Sequence, residues 1–394
     1  MQVGKLVYMR QKLLLTINSL RSGGAERVVS QLLNHLQNDF EIHLALYNKV
    51  IEYDIPADIQ IIDLKQSESD NQFLTLIKLP LLSYRLSRYC RKHTITHSVA
   101  FLNRPCYINA LMKNWWGYKG RIVMCERTHQ STMLQTKSWL NKWITKFLVK
   151  YSYRNANLVL ANSQAMKKDL EETLGVTSPV QVIYNPIDIQ ELQVKMKEPI
   201  SMSLDPAIFY FVSVGNFRKE KNYPLLLEAF AGIKDPKCKL LLVGGGYMER
   251  ELKQKVKALG ITDAVVFCGK DNNPFKYMQR CDCFVMCSDV EGFPNVLLEA
   301  VACGKPVIST DCKSGPRELL APATDIFFQL EDHYSIEEYG VLTPVGNAAV
   351  LTAAMKKMMQ DESLRQQLQQ KAAARGAAFD VNLIKQDFVK AFLG

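Results

Sequence analysis

The fold of this chain is constrained most by the regular alternation of short apolar runs with segments that suit a helix. Each apolar run has the length of a buried strand, ends in a polar or glycine-containing turn and precedes such a segment. Strands that alternate with helices pair as parallel, doubly wound sheets, so the sequence predicts an α/β protein. The predicted strands are KLLLTIN, EIHLALY, HSVAFL, RIVMCE, NLVLANS and VQVIYN in the first half and IFYFVSVG, KLLLVGG, AVVFCG, CFVMCS and GKPVIST in the second.

The length of 394 residues suits two domains of ordinary size, each with its own core. A polar, irregular stretch that contains two prolines separates the two groups of strands, and we predict a linker at residues 196–207. Residues 1–195 and 208–375 then form one doubly wound domain each. Because ligands of such sheets bind at the carboxyl ends of the strands, we expect a site in the cleft between two facing domains.

The cysteines indicate a reduced environment. The ten Cys residues fall largely in apolar runs, where Cys behaves as a small hydrophobic residue, and this favours a cytosolic protein. The sequence has no paired Cys and His pattern, so we predict no metal site. No apolar run reaches the ~20 residues that a transmembrane helix needs, and we interpret the first apolar stretch as a strand rather than a signal peptide.

The positive charge belongs to the first half of the sequence. Residues 1–199 contain 26 Lys and Arg against 16 Asp and Glu, whereas the remainder contains 23 of each, so the first half carries the whole net charge of +10. Nucleic acid and anionic membranes both attract basic proteins. No nucleic-acid recognition motif accompanies the charge, and we predict no nucleic-acid partner. The basic segments are KLPLLSYRLSRYCRKH, MKNWWGYKGR and KSWLNKWITKFLVKYSYR.

The third basic segment has the pattern of an interfacial helix, because its aromatic residues recur at i, i+4 and i+8 and its lysines occupy the adjacent stripe. These residues are Trp139, Trp143 and Phe147, and Lys142, Lys146 and Lys150. An amphipathic helix packed on the domain core would show the same pattern, since apolar faces usually point inward. Tryptophan favours the headgroup zone and lysine the anionic lipids, which favours an anionic membrane surface as a partner.

Two glutamates lie eight positions apart in the run EGFPNVLLEA. Pro294 suits the first turn of a helix, which places Glu291 in the loop before that helix and Glu299 about one turn inside it. Unpaired N–H groups at a helix N-terminus attract phosphate, and carboxylates beside them can bind sugar hydroxyls. A nucleotide-sugar needs the helix N-terminus for its diphosphate and both carboxylates for its hydroxyls. Taken alone, however, the two Glu residues are also explained as one residue of a loop and one of a helix surface, neither with a role in binding.

The sequence around this pair resembles the signature of the retaining GT-B glycosyltransferases of family 4. The resemblance extends from about Leu13 to the C-terminal helix. It implies two facing Rossmann-like domains, with the acceptor bound by residues 1–195, the nucleotide-sugar by residues 208–375, and a C-terminal helix at 376–394 that packs back on the first domain. The matching segments are CDCFVMCSDVEGFPNVLLEAVACGKPVISTDCKSGPREL, SVGNFRKEKNYPLLLEAF, LLLVGGGYMERELKQKVKALGI, VVFCGKDNNPFKYM, YGVLTPVG, NSLRSGGAERVV and VIYNPID.

The resemblance also implies roles for residues of the second domain. The second glutamate of the family motif, here Glu299, binds the ribose hydroxyls, and the first, here Glu291, binds a hydroxyl of the donor sugar. Lys221 matches a lysine that neutralises the leaving diphosphate. Transfer in this family is front-face and retaining, and it needs no metal or other cofactor. Further substrate-binding positions are Gly269 and Lys270 beside the base, and Phe293, Pro294, Asn295 and Val296 beside the sugar and diphosphate.

Two loops match the family less closely. After the first strand, Gly23, Gly24 and Glu26 stand where a backbone approaches a diphosphate before a helix, and a tight turn is the alternative explanation. In the second domain the commonest family pattern has Arg directly after Gly, whereas this chain has Asn216 there. Arg218, displaced by two residues, is either a substitute cation or a solvated surface residue.

A segment of the first domain, RIVMCERTHQ, resembles a family segment in which a strand ends in Ser-Glu-His or Ser-Glu-Arg. Glu126 and Arg127 fill its last two positions, so Arg127 replaces the His of some members. Arg127 and His129 are the catalytic candidates of this domain, although a single His after a strand is more often structural. The run Gly244–Gly246 lacks the spacing of a dinucleotide fingerprint, and we predict a tight strand-to-helix turn there.

These features predict an enzyme that moves a hexose or N-acetylhexosamine from a UDP-sugar to a saccharide acceptor. The motifs are most similar to those of bacterial enzymes, N-acetylgalactosaminyltransferases among them, that extend polyprenyl-diphosphate-linked glycans. That similarity implies a lipid-linked acceptor and a peripheral position at the cytoplasmic face of the plasma membrane. A GT-B UDP-N-acetylglucosamine epimerase and a non-catalytic nucleotide-sugar-binding protein are the alternatives. The basic, Trp-containing first half argues against the epimerase, and the intact Glu pair with Lys221 argues against the binding protein.

Overall fold

The chain forms two compact units. The computed structural model describes residues 10–66, 72–135 and 138–394, without the side chains of Gln72 and Phe73. The first unit comprises the described residues up to Asn162, Met166–Pro186 and Val381–Gly394, and the second comprises Ser163–Ala165 and Ile187–Asp380. Each unit contains a seven-stranded sheet, so the predicted α/β class with two doubly wound domains is confirmed.

The part of the chain before residue 187 contains seven of the strands. They are Gln11–Ile17 (β1), Phe40–Leu46 (β2), Gln60–Asp63 (β3), His97–Phe101 (β4), Arg121–Cys125 (β5), Leu158–Ala161 (β6) and Val180–Val182 (β7). The α-helices of this part are Gly24–His35 (α1), Gln72–Lys92 (α2), Asn103–Trp116 (α3), Gln130–Gln135 (α4), Trp139–Tyr153 (α5) and Gln164–Lys168 (α6). A short π-helix, Asp169–Thr173, follows α6.

The remainder of the chain continues the alternation. Its strands are Phe209–Val214 (β8), Cys238–Val243 (β9), Val265–Gly269 (β10), Cys283–Met286 (β11), Val307–Thr310 (β12), Ser335–Glu337 (β13) and Gly340–Thr343 (β14). Its α-helices are Ile189–Lys195 (α7), Tyr223–Ala231 (α8), Glu249–Ala258 (α9), Phe275–Arg280 (α10), Asn295–Ala302 (α11), Pro316–Leu320 (α12), Ala348–Gln360 (α13), Glu362–Ala377 (α14) and Val381–Leu393 (α15). Single 3-10 turns lie at Lys219–Lys221 and Thr262–Ala264.

The sheet of the first unit has the order β3-β2-β1-β4-β5-β6-β7, and its neighbouring strands are parallel. Successive side chains of a strand point to opposite faces, which divides the core into two layers. Leu14 packs with residues of α2, α3 and α5. Leu13 and Leu15 pack with residues of α1 and α15 on the other face. The strands read as continuous apolar runs because helices cover both faces.

The sheet of the second unit has the order β10-β9-β8-β11-β12-β14-β13. Strand β13 pairs with β14 in the antiparallel sense, which corrects the prediction of a wholly parallel sheet. Strands β3, β13 and β14 were not predicted. At three or four residues each they are too short to show a periodicity, and β3 and β13 lie at sheet edges, where fewer side chains are buried.

The units divide between Pro186 and Ile187, ahead of the predicted linker at 196–207. Helix α7 is polar, but its end bonds to α10 and the loop before it. Asn273 Nδ2 donates to the Lys195 carbonyl oxygen over 2.8 Å, so α7 groups with the second unit. The last helix, α15, groups with the first unit, where the guanidinium of Arg121 donates to the Ala391 carbonyl oxygen. No helix in the described ranges is long and apolar enough to span a bilayer.

Candidate active site

A lysine and a glutamate for which the family resemblance implies roles at the donor and its leaving group meet in the second unit. Lys221 Nζ lies 2.5 Å from Glu291 Oε1, and the two side chains are 24% and 12% exposed. Lys221 ends the 3-10 turn after β8, and Glu291 follows β11, the next strand of the sheet. Partial burial strengthens such a pair relative to one in bulk water. The structure therefore holds a cation and a carboxylate at one point of the carboxyl edge of this sheet.

The end of β11 supports the turn that carries Lys221. The Cys287 thiol donates to the carbonyl oxygens of Lys221 and Asn222 over 3.2 and 3.3 Å. Burial raises the pKa of the Cys287 thiol to about 12, so at neutral pH it stays protonated and can donate. The Asp289 N–H also donates to the Glu220 carbonyl oxygen over 2.9 Å. These bonds fix the backbone on both sides of the Lys221 side chain.

Asn222 ties the same turn to helix α8. Its backbone is left-handed, with φ 46°, a region that Asn tolerates better than most residues. Its side-chain oxygen accepts a hydrogen bond from the Leu225 N–H at the start of α8, and its Nδ2 donates to Asp289 Oδ1 over 2.8 Å. Sequence reasoning missed Asn222, Asp289 and Cys287. An N-cap signal, Asn two residues before a proline, could have identified only the first of them.

Helix α11 places the second glutamate of the motif. It begins at Asn295, with Pro294 as the residue before it rather than in its first turn as the sequence predicted. Glu299 lies in the second turn and is only 6% exposed. The side chain of Phe293 is buried against Phe379, with ring centroids 5.5 Å apart. The Phe side chain thus anchors the turn, and Val296 in the first turn of α11 is part-buried.

A neighbouring loop packs tightly against the turn before α11. Gly315 has φ +94°, and a Cβ there would lie 2.5 Å from Pro294 Cδ and 2.9 Å from the Gly292 carbonyl oxygen. The Ser314 hydroxyl donates to the same Gly292 carbonyl. Glycine is therefore required at position 315, and the loop after β12 fixes the shape of the Glu291 loop.

The predicted base-binding residues lie beside the glycine run. Gly269 ends β10, and its carbonyl oxygen accepts from the Gly244 N–H over 2.8 Å. The aliphatic part of Lys270 covers Gly245. A Cβ on Gly244 would lie 1.9 Å from the Gly215 carbonyl oxygen, which explains a glycine at this strand-to-helix turn. The ends of β8, β9 and β10 thus converge.

Two other predicted residues of this unit lie after β8. Asn216 is part-buried, and its carbonyl oxygen accepts from the Arg218 N–H over 2.8 Å. Arg218 is exposed and precedes the 3-10 turn. The structure brings Lys221 and Glu291 together just before the start of α11. The Arg218 side chain is exposed, and its role as a substitute cation stays a prediction.

In the first unit, Glu126 is a buried carboxylate with a complete set of donors. Arg127 and Thr128 donate their backbone N–H groups to Oε1, and Gln130 Nε2 and the Tyr153 hydroxyl donate to Oε2 over 2.8 and 2.5 Å. Burial raises the pKa of Glu126 despite these bonds. Because Tyr153 belongs to α5, this carboxylate ties α5 to the loop after β5.

The side chain of Arg127 contacts residues at the ends of other strands of the sheet. Its Nη1 donates to Asn185 Oδ1 over 2.7 Å, and its Cζ lies 5.0 Å from the centre of the Phe101 ring. Burial lowers the pKa of Arg127, because the charged guanidinium loses hydration there. Sequence reasoning placed Arg127 at the end of a strand but gave no sign of its partner Asn185, which follows β7.

His129, the other catalytic candidate, is buried just before α4. Its Nδ1 lies 3.0 Å from the Thr132 hydroxyl and 3.6 Å from Asp169 Oδ2. The Ser131 N–H also donates to Asp169 Oδ2 over 3.0 Å. These local contacts suit a histidine that holds α4 in place, the structural alternative that the sequence left open.

The loop after β1 contains the other predicted phosphate contact. Gly23 precedes α1, and its backbone is extended, with φ −168°, so no left-handed geometry calls for glycine there. A Cβ on Gly23 would lie 2.3 Å from the carboxylate of Glu26, which sits in the first turn of α1. Gly24, the first residue of α1, is exposed. The helix end therefore already has a negative group nearby, which weakens its attraction for a diphosphate.

Two models of known protein families match this chain, one in each half. The model of "Glycosyltransferase Family 4" matches residues 22–191, and that of "Glycosyl transferases group 1" matches residues 203–375. The N-acetylgalactosamine-N,N'-diacetylbacillosaminyl-diphospho-undecaprenol 4-alpha-N-acetylgalactosaminyltransferase of Campylobacter jejuni is 39% identical over 386 residues, 98% of this chain and 100% of the relative. The chain belongs to glycosyltransferase family 4.

Solved structures agree with this family 4 assignment. Sucrose-phosphate synthase from Thermosynechococcus elongatus superposes with a TM-score of 0.80 at 18% identity, over 97% of this chain and 98% of that one. The Anabaena protein HepE, crystallised with UDP and glucose, gives 0.75 at 21% identity, over 97% and 99%. These likenesses confirm the predicted GT-B fold of the family 4 glycosyltransferase.

Proposed function

We propose that the protein is a retaining glycosyltransferase that moves a hexose or N-acetylhexosamine from a UDP-sugar to a lipid-linked saccharide. The observation that supports this most is the Lys221–Glu291 pair, 2.5 Å apart, in the loops beside a helix that contains the buried Glu299. One cation and two carboxylates around a helix N-terminus suit the three parts of such a donor, namely diphosphate, sugar and ribose.

In the proposed reaction the bond between the sugar C1 and the β-phosphate oxygen breaks, and a bond from C1 to the acceptor oxygen forms on the same face. The acceptor proton passes to the leaving diphosphate, which departs as UDP. Lys221 counters the charge that grows on that diphosphate, together with the positive end of α11. Glu291 accepts a hydrogen bond from a sugar hydroxyl, and Glu299 accepts from the ribose diol. With these groups in place the reaction needs no metal ion.

The lipid-linked acceptor is supported by a relative. The Campylobacter jejuni enzyme is named for transfer to a glycan on diphospho-undecaprenol, and it matches this chain over nearly its whole length. We therefore propose an acceptor of the same class, a saccharide on a polyprenyl diphosphate, and a peripheral position at the cytoplasmic face of the plasma membrane.

The exposure of α5 supports the membrane position. Trp139, Trp143 and Phe147 are 80%, 66% and 57% exposed. The alternative that this aromatic stripe packs inward on the domain core is therefore wrong. The buried contacts of α5 are made instead by residues such as Val149 and Tyr153. An outward row of aromatic residues beside lysines is the surface that an anionic bilayer binds.

The function is tested by screening UDP-sugars with the purified protein and measuring UDP release with and without polyprenyl-diphosphate-linked saccharides. We expect release with one hexose or N-acetylhexosamine donor, dependent on the acceptor and unchanged by a chelator. Release that a chelator abolishes and magnesium or manganese restores would contradict the metal-independent step. Conversion of a UDP-sugar to its epimer without any acceptor would support the epimerase alternative instead.

A further inference from the structure

Helix α2 exposes a row of apolar side chains. The members recur at i, i+3, i+7 and i+10 and so share one stripe of the helix. They are Leu74 at 44% exposure, Ile77 at 57%, Leu81 at 51% and Tyr84 at 38%. A different stripe, which includes Leu79, Leu82 and Leu86, packs against the sheet. The helix is therefore apolar on two sides, and only one of them is used by the core of the first unit.

The exposed stripe of α2 becomes basic toward the end of the helix, at Arg85, Arg88, Arg91 and Lys92. The sequence around it offers little to oppose this charge. Between Gln72 and Arg154 the sequence contains fifteen Lys and Arg residues and a single acidic residue, Glu126, which is buried. An apolar stripe that runs into an excess of positive charge is complementary to a bilayer with anionic headgroups.

A band of contacts connects α2 to α5 through α3. The rings of Tyr84 and Trp116 lie 5.0 Å apart, and Trp116 Nε1 donates to the Ser83 hydroxyl over 2.7 Å. On the other side of α3, Asn114 Nδ2 donates to the Tyr151 hydroxyl of α5 over 2.9 Å. Tyr151, Phe147 and Trp143 then stack in sequence along α5. The three helices form one layer, which we call the α2–α3–α5 face.

Exposed apolar residues of the first unit concentrate on this face. Among its described residues, nine of the eleven large exposed hydrophobic side chains belong to α2, α3 or α5. The other two, Leu383 and Leu393, belong to α15, which packs over the opposite face of the sheet. The concentration on one layer distinguishes the α2–α3–α5 face from scattered surface residues, which need no explanation.

The three helices of the α2–α3–α5 face run in the same direction. Helices α2, α3 and α5 each connect parallel strands of one sheet, so all three run opposite to the strands and begin at its carboxyl edge. In α2 the exposed apolar residues, Leu74–Tyr84, lie toward the beginning of the helix and the basic residues, Arg85–Lys92, lie toward its end. In α5 the aromatic residues Trp139–Phe147 also lie toward the beginning, whereas its lysines recur at every fourth position beside them. At 1.5 Å per residue the change from apolar to basic in α2, from Leu74 to Lys92, spans about 27 Å.

We propose that α2 is a second membrane anchor and that the first unit docks edge-first on an anionic bilayer. The beginnings of α2 and α5, which contain the exposed apolar residues, enter the boundary of the acyl chains, while the basic end of α2 stays among the headgroups. This orientation brings the carboxyl edge of the sheet, with the loops of Gly23 and Glu126, closest to the lipid. The inference rests on the proposed function in that a lipid-linked acceptor presents its diphosphate at that level.

The second anchor is tested by the double variant Ile77→Asp with Leu81→Asp, which leaves α5 unchanged. Its matched control is Leu383→Asp, an equally exposed leucine on the other face of the same unit. In co-sedimentation with vesicles of phosphatidylcholine and phosphatidylglycerol we expect the double variant to bind at least about ten-fold more weakly, since burial of each apolar side chain favours the bound state. The control should bind as the wild type does.

Because the replaced side chains are exposed, we expect wild-type melting temperatures, and a double serine variant serves if the aspartates impair folding. Vesicle binding by these variants that equals the wild type would overturn the proposal. A change from dimer to monomer in the double variant, with vesicle binding unchanged, would mean that a second copy of the chain covers the face. Transfer to a short soluble acceptor should survive in the double variant. A wild-type protein that binds vesicles but transfers sugar to no acceptor would count against the proposed function and not against docking.

The orientation is tested by fluorescence, since the chain's four tryptophans, Trp115, Trp116, Trp139 and Trp143, all lie on α3 and α5. Single-tryptophan proteins that retain Trp143 or Trp115 are bound to vesicles with lipids brominated at different depths along the acyl chain. We expect deeper quenching for Trp143, near the beginning of α5, than for Trp115, near the end of α3. Equal depths, or a deeper Trp115, would overturn the edge-first orientation.

Discussion

At the scale of single residues, the candidate site depends on charges that are paired before any substrate arrives. Lys221 and Glu291 satisfy each other in the free protein, so neither is left as an isolated, partly buried charge. A diphosphate and a sugar hydroxyl can then replace each partner's contact without moving the backbone. The bonds from Cys287, Asn222 and Asp289 keep that backbone in place.

The two glutamates should differ in what their loss affects. Glu299→Ala should weaken the binding of UDP itself by about 10- to 150-fold, because a hydrogen bond from a ribose diol to a charged group is worth about 1.5–3 kcal/mol. Glu291→Ala should bind UDP as the wild type does and turn over the full donor more slowly. Calorimetric titration with UDP and steady-state kinetics measure the two effects, and equal losses of UDP affinity would refute this division of roles.

The sequence predicted the charged residues of the candidate site but not the residues that hold them in place. Glu291, Glu299 and Lys221 were found because they recur in a recognisable motif. Asn222 and Asp289 are 67 positions apart, and nothing in either local segment indicates that they meet. Their contact depends on β8 and β11 being neighbours in the sheet, which the order of strands along the chain does not reveal.

At the scale of elements, helix α5 shows that periodicity in the sequence identifies a shared helix face but not whether that face is buried or exposed. The spacing of Trp139, Trp143 and Phe147 shows that they share a face, and it is compatible with a face that points inward or outward. The structure decides for outward because other residues of α5 pack on the core. The apolar stripe of α2 was missed for a related reason, since a helix that is apolar on two sides has no clear amphipathic period.

The lysines of α5 should contribute to membrane binding through charge. Replacing Lys142, Lys146 and Lys150 by Glu should cost a few kcal/mol of affinity for anionic vesicles, at roughly 1 kcal/mol for each lysine near the surface. A matched control replaces three exposed lysines of the second unit, Lys234, Lys237 and Lys257. Co-sedimentation at low salt is the measurement, because surface electrostatics are screened least there. If the α5 variant binds the vesicles as tightly as the wild type does, the three lysines form only a solvated helix face and do not contribute to membrane binding.

At the scale of the whole molecule, the two units differ in charge as they do in proposed task. The net charge of the sequence lies before residue 200, where the helices proposed to bind the membrane are, and the residues proposed to bind the nucleotide-sugar lie in the electrically balanced remainder. Sequence predicted this division, as well as the fold class and most strands, because composition and long buried strands are properties of local segments. It placed the boundary too late because polar α7 resembles a linker.

Stability of the first unit should fall at mildly acidic pH. Burial lowers the pKa of His43 below its usual value; Glu41 opposes this shift, whereas His93 and Lys12 add smaller effects in the same direction as burial. His43 Nδ1 also lies 2.9 Å from the Tyr89 hydroxyl. Protonation then favours the unfolded chain, so the stability is fully present above the ordinary His pKa of about 6.5 and is lost as pH falls below it.

The histidine is tested by melting temperatures between about pH 7.5 and pH 5. We expect His43→Gln to lose less stability over this range than the wild type does, whereas His333→Gln, at a side chain 66% exposed, should follow the wild type. Parallel curves for wild type and His43→Gln would show that other groups cause the acid dependence.

Retaining transfer from a UDP-sugar to a lipid-linked saccharide is examined best by analysing the product. The purified protein is incubated with its preferred UDP-sugar and a polyprenyl-diphosphate-linked saccharide, and the lipid is examined by mass spectrometry and by NMR of the new anomeric proton. We expect the addition of one hexose or N-acetylhexosamine per UDP released, with the α configuration of the donor retained. An inverted linkage, or UDP-sugar consumed without any sugar added to the lipid, would contradict it.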